Sequence, residues 1–124
     1  MTSTVRATYK TIPTLIGNYT PYTHGSSEGY LSAAERYYIV MSYRTTVAII
    51  DTYTGISAIN CRKYSQTTNR LQTIIKRVTD DGPGRVELYT RGECDNPTHM
   101  VRKIREIAGT VDNGMGETSR TYSK

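Results

Sequence analysis

The sequence predicts an α+β domain, a small antiparallel sheet of four to five strands packed by two amphipathic helices. Tyr37-Tyr-Ile-Val-Met-Ser-Tyr and Thr46-Val-Ala-Ile-Ile are rich in β-branched and aromatic residues, which suit a pleated, half-buried surface. Leu71, Ile74, Ile75 and Val78 recur at i, i+3, i+4 and i+7, the spacing of one apolar helix face. A chain of 124 residues suits one domain with a single modest core.

Taken in order, residues 1–35 are rich in Thr, Tyr, Gly and Ser. Val5 to Ile12 is able to form a strand, and Pro13, Pro21 and Gly25-Ser-Ser-Glu-Gly interrupt the rest of that stretch. This reads as an extended arm with at most two strands. Asp51-Thr-Tyr-Thr-Gly is a turn joining the second β-rich run to Ile56-Ser-Ala-Ile-Asn-Cys, which completes a meander. Ser65 or Thr67 caps the amphipathic helix, and Asp80-Asp-Gly-Pro-Gly ends it. Arg85-Val-Glu-Leu-Tyr-Thr alternates as a half-buried strand does. Asn96 as N-cap, Pro97 as first helical residue and Gly109 as the stop bound a second helix. The domain therefore spans 1–109, with a flexible tail over 110–124.

Phe and Trp are absent while Tyr occurs 11 times, so the core must lean on Ile, Val, Leu and Tyr. Tyrosine covers apolar surface with its ring and keeps a polar tip, which leads us to expect a homo-oligomer. Two cysteines, Cys61 and Cys94, are too few for a disulfide framework and lack zinc-ligand spacing. No secretion signal and no apolar run near the ~20 residues of a membrane span is present. We expect no membrane partner and an intracellular protein.

The formal charge is +5, which favours nucleic acid, nucleotides or acidic protein surfaces as partners. Between Asp51 and Asp80 stand Arg62, Lys63, Arg70, Lys76 and Arg77, with no acid among them. Thr67 and Thr68 place hydroxyls at a helix start, where free backbone N–H groups favour an anion. These seven residues are the expected phosphate-binding set, against the simpler reading of an ordinary N-cap and a solvated helix face. Tyrosines interleave with basic residues at Tyr43-Arg44, Arg62-Lys63-Tyr64 and Tyr89-Thr-Arg91, a mix that stacks bases while neutralising phosphates. Tyr43 and Tyr64 are the expected stacking residues. His24 and His99 have no partner at a catalytic spacing, and Cys94, Asp95 and His99 crowd one loop and helix start. We expect no catalytic residues, no metal and no cofactor.

Ser42-Tyr-Arg-Thr-Thr-Val-Ala with the later Tyr64-Ser-Gln-Thr-Thr-Asn-Arg resembles a family of short proteins from tailed phages and archaeal viruses. Its members share Ser-Tyr-x-Thr-x-Val-Ala and then Tyr-Ser-x-Thr-Thr-x-Arg. The match covers about a quarter of the chain, and the histidine that often comes after the family's arginine is Leu71 here, so no role of that histidine carries over. The resemblance implies a viral or prophage accessory protein, with no family chemistry to carry over. From the basic residues together with that setting we expect a non-enzymatic protein of the host cell cytoplasm that binds phosphate-bearing ligands, nucleic acid or a host nucleic-acid-handling defence complex that it inhibits. An oligomeric sponge for a small, cyclic nucleotide immune signal is the alternative, and a structural or protein-inhibitor role the third.

Overall fold

The computed structural model describes residues 4–32 and 35–114. Its elements are β1 (Val5–Arg6), α1 (Ile12–Gly17), β2 (Tyr22–His24), β3 (Ser27–Leu31), β4 (Tyr37–Ser42), β5 (Thr45–Asp51), β6 (Ser57–Asn60), α2 (Gln66–Val78), β7 (Arg85–Leu88), α3 (Arg91–Cys94) and α4 (Pro97–Gly114). The seven strands form one sheet in chain order. This corrects the expected sheet of four to five strands and the expected pair of helices. It also corrects the expectation of a purely antiparallel sheet: β2 to β6 are antiparallel neighbours, but β1 pairs parallel with β2 and β7 parallel with β6. Parallel neighbours require a crossover segment, and α1 and α2 supply the two crossovers.

The strand count rises because residues 5–31 contribute β1, β2 and β3. Few aliphatic residues mark the strands of that stretch, and the large side chain they bury is Tyr22, which packs beside Tyr38 of β4. Tyr22 and Tyr38 are fully buried, with hydroxyls bonded to Ser27 Oγ at 2.8 Å and to the Thr20 carbonyl at 2.6 Å. Burial pushes both phenols to higher pKa, that of Tyr22 to about 12. Gly29 in β3 pairs with Tyr22 on one side and Val40 on the other, and the two tyrosine rings close over its missing side chain. Pro13 sits in the first turn of α1, where its lost N–H has no helical partner to forgo.

Helices cover both faces of the sheet. On one face Ile12 and Ile16 of α1 and Leu71 and Ile75 of α2 pack with Tyr22, Tyr38, Val40, Ala48, Ile50 and Ile59. On the other, Cys94, Met100 and Ile104 of α3 and α4 pack with Ile49, Ile56, Ala58 and Leu88. Covering on both sides explains why Thr46–Asp51 and all of β6 are buried, as in parallel α/β sheets. The start of α4 matches the expected pattern, with the Thr98 N–H donating to Asn96 Oδ1 at 2.8 Å. The helix itself runs on through Gly109 to Gly114; residues 115–124 of the expected tail lie outside the described residues. Among the described residues no helix is long and apolar enough to cross a membrane.

At the far end of β5, Asp51 is fully buried and takes a two-point contact from Arg36. Nε lies 3.3 Å from Oδ1 and Nη2 3.1 Å from Oδ2. Asp51 Oδ1 also accepts the Tyr53 N–H at 2.9 Å, and Gly55 closes the turn at φ +81°, a conformation that favours glycine.

Candidate arginine cleft at the strand ends

The parallel pair β6 and β7 ends on one side of the sheet, beside the β4–β5 hairpin. In open α/β sheets ligands sit outside such carboxyl ends. Here a cleft of about 410 Å³ is lined by Arg44 and Thr45 of the hairpin, Arg62 and Tyr64 of the β6–α2 loop, and Arg91 and Asp95 of α3 and its end.

Two buried amides hold the loop that presents Arg62 and Tyr64. Asn60 Oδ1 accepts the Arg62 N–H at 3.0 Å, while its Nδ2 donates to the Thr46 carbonyl at 3.1 Å and to Tyr64 Oη at 2.9 Å. Gln72 reaches from α2 to donate to the carbonyls of Asn60 and Arg62, at 2.6 and 2.8 Å. Buried amide groups persist when their hydrogen bonds are made, and here those bonds fix loop to hairpin and loop to helix. Asn69 adds a reciprocal pair, accepting the Tyr64 N–H and donating to the Tyr64 carbonyl. Tyr64 is thus held at its backbone and at its hydroxyl, with its ring 5.8 Å from the Arg62 guanidinium carbon.

Arg44 comes after Tyr43 in the two-residue hairpin turn. Tyr43 takes φ +58°, unusual for a residue with a side chain, and its N–H is anchored to the Ser26 carbonyl at 2.7 Å. Asp95 lies between the other two cationic groups, with Oδ1 3.6 Å from Arg62 Nη1 and Oδ2 3.7 Å from Arg91 Nε. Arg44 makes no ion pair among the described residues. The cleft therefore holds three permanent positive charges against one carboxylate, with Thr45 also on its wall and the Thr46 hydroxyl donating to Met41 Sδ at 3.3 Å. Guanidinium groups present planar forks of donors that match phosphate oxygens.

Of the expected site residues, Arg62 and Tyr64 line this cleft and Tyr43 adjoins it. The others do not line it. Lys63 is exposed on the loop, and Arg70, Lys76 and Arg77 ride on α2, which packs on the opposite face of the sheet from α3 and α4. Arg70 lies over the Tyr9 ring at 3.7 Å. Ser65 caps α2, accepting the Thr68 N–H. The Thr68 hydroxyl is buried between Ser42 Oγ at 2.8 Å and Ser65 Oγ at 3.3 Å, so it is engaged within the fold. Thr67 is half-buried in the first turn. Arg44 and Arg91 are the additions, and both stand in the tyrosine–basic segments Tyr43-Arg44 and Tyr89-Thr-Arg91.

Cys94 also borders the cleft, but its thiol is buried, donates to the Leu88 carbonyl at 3.6 Å, and is pushed up to about 11 in pKa, chiefly by burial. Asp95 faces arginines, and His99 Nδ1 lies 3.0 Å from the Gly92 carbonyl. Each of the three is engaged elsewhere rather than with the other two. Comparison with known protein families, with curated proteins and with solved structures finds no match.

Proposed function

We propose that the protein binds a phosphate-bearing ligand in the Arg44–Arg62–Arg91 cleft and leaves it chemically unchanged. The convergence of three arginines, from the β4–β5 hairpin, the β6–α2 loop and the start of α3, on one cleft carries this reading. Its volume, about 410 Å³, falls within the range of small-molecule sites, which favours a nucleotide. Tyr64, fixed by Asn60 and Asn69, offers a ring against which a base stacks while the arginines take the phosphates. In the viral setting that the sequence motif suggests, such binding sequesters a nucleotide signal. Tyr43, 61% exposed beside Arg44 at the hairpin tip, favours a second reading in which a single strand of nucleic acid lies across the same cleft.

The test is thermal stabilisation and equilibrium dialysis with nucleoside phosphates, cyclic dinucleotides and a short single strand. A nucleotide that fits raises the melting temperature by a few degrees at saturating concentration and is recovered intact by chromatography. A single strand contacting all three arginines shows a log–log salt slope near about −2. Failure of every phosphate ligand to bind, or recovery of a cleaved one, contradicts the proposal. Because Asp95 competes for Arg62 and Arg91, Asp95→Asn is expected to tighten phosphate binding about two- to fivefold at low salt, the modest scale of exposed charge pairs. Dialysis of the two proteins side by side checks this.

A further inference from the structure

We propose that the outer edge of β7 is a self-association surface, where a second copy of this chain pairs antiparallel about a two-fold axis through Val86. The Ser57 N–H donates to the Gly84 carbonyl at 3.1 Å and the Cys61 N–H to the Leu88 carbonyl at 2.7 Å. Strand groups alternate in direction, so Gly84, Val86 and Leu88 face β6, while the N–H and C=O groups of Arg85 and Glu87 face outward. Among the described residues no strand pairs with that edge.

Three registers bring these outward groups of two copies together. Arg85 against Arg85, or Glu87 against Glu87, sets like charges directly opposite, which is unfavourable. Arg85 against Glu87 gives four backbone hydrogen bonds and two cross-strand ion pairs, and it is self-complementary, as a two-fold interface requires. Within one chain the two side chains already share a face, with Arg85 Nη2 3.0 Å from Glu87 Oε2. Arg85 also donates to the Lys76 carbonyl at 3.0 Å, and Glu87 accepts the Tyr89 hydroxyl at 2.7 Å. A cleft of about 460 Å³, lined in part by Asp80, Pro83, Arg85 and Glu87, gives them room to swing toward a partner. The opposite sheet edge, β1, has only Val5 and Arg6 and lacks such a pair. With four residues in β7 the contact belongs with small, concentration-dependent interfaces.

Sedimentation velocity over about 5 to about 500 µM, the range in which small interfaces assemble, tests the assignment. The 13.9 kDa chain is expected to move toward twice that mass as concentration rises. Arg85→Glu gives a chain with two acids on this face and Glu87→Arg one with two bases. Each alone is expected to dimerise at least about tenfold more weakly, and an equimolar mixture of the two to regain the dimer. Glu87→Pro, which removes an outward N–H and spares the ladder to β6, is expected to remain folded by circular dichroism and stay monomeric; with Glu87→Arg it decides the matter should Arg85→Glu fail to fold. A single 13.9 kDa species at every concentration, or dimers that persist in the reversed-charge variants alone, overturns the proposal.

Discussion

Gly29→Ala is expected to destabilise the domain by about 3 kcal/mol or more, the upper range for overpacking a core, lowering the melting temperature by about 10 °C or more for a chain this size. A Cβ at this position would stand 2.6 Å from Tyr22 Cε1 and closer still to Tyr38 Oη. Neither ring has free space to retreat into, since both are fully buried and both hydroxyls are held. A strand glycine that marks a close approach of this kind has a packing reason. Thermal denaturation followed by circular dichroism checks it, and a melting point within about 2 °C of the parent would contradict the described packing of the two tyrosines.

Arg36→Ala is the second large effect, because it strands the buried Asp51. Removing one partner of a fully buried ion pair costs about 3–5 kcal/mol. Arg36 keeps 35% of its side chain exposed, and with that solvent screening we expect about 2–3 kcal/mol at neutral pH. Lost stacking over Tyr53, at 4.5 Å, and Tyr37, at 5.5 Å, adds to the loss.

The effect carries a pH signature. Burial pushes the Asp51 carboxyl up, but hydrogen bonds from Arg36, the Tyr53 N–H and Thr54, with the Arg36 charge, outweigh it and leave the pKa below the usual value. A carboxyl lowered in the folded state adds stability that is complete above its unfolded value of about 3.9 and fades as pH falls through the folded value. In Arg36→Ala that contribution is largely gone. Urea titrations should therefore show a wide stability gap between the two proteins at pH about 7 that narrows below about pH 4. A gap that stays constant across this range would show that Asp51 is not the stranded group.

How much of the fold is legible in the sequence depends on the range of the interactions involved. The run Thr46-Val-Ala-Ile-Ile, the face Leu71–Ile75, the turn Asp51-Thr-Tyr-Thr-Gly and the start Asn96-Pro97 are settled by neighbouring residues, and each is legible in composition and spacing. The parallel placement of β1 and β7 depends on crossovers whose ends meet only in the folded sheet, so composition and spacing show Arg85–Leu88 as a strand without showing its parallel partner. The first three strands are short and set among Pro13, Pro21 and Gly25, and Tyr22, buried among them, gives no sign in the sequence of which face it buries.

The cleft obeys the same division. The tyrosine–basic segments around Arg44, Arg62 and Arg91 stand out in the chain, but nothing local indicates that they converge. The basic face of α2, where Arg70, Lys76 and Arg77 form an evident local cluster, gives the stronger signal in the sequence. Asn60 and Gln72, which hold the cleft loop, look like ordinary polar residues there, since burial of an amide is visible only once its partners are in place.

Equilibrium dialysis of a bound nucleotide against two sets of variants tests the central claim most directly. One set replaces Arg44, Arg62 and Arg91 with alanine, singly and together, and the other replaces Lys63, Arg70 and Arg77 on the loop and helix. We expect each cleft substitution to weaken binding about tenfold, the scale of a charge-assisted contact, and the triple cleft variant to abolish it, while the second set changes affinity less than about threefold through long-range charge alone. Unchanged binding in the triple cleft variant, or its loss in the helix set alone, would contradict the cleft and return the site to α2.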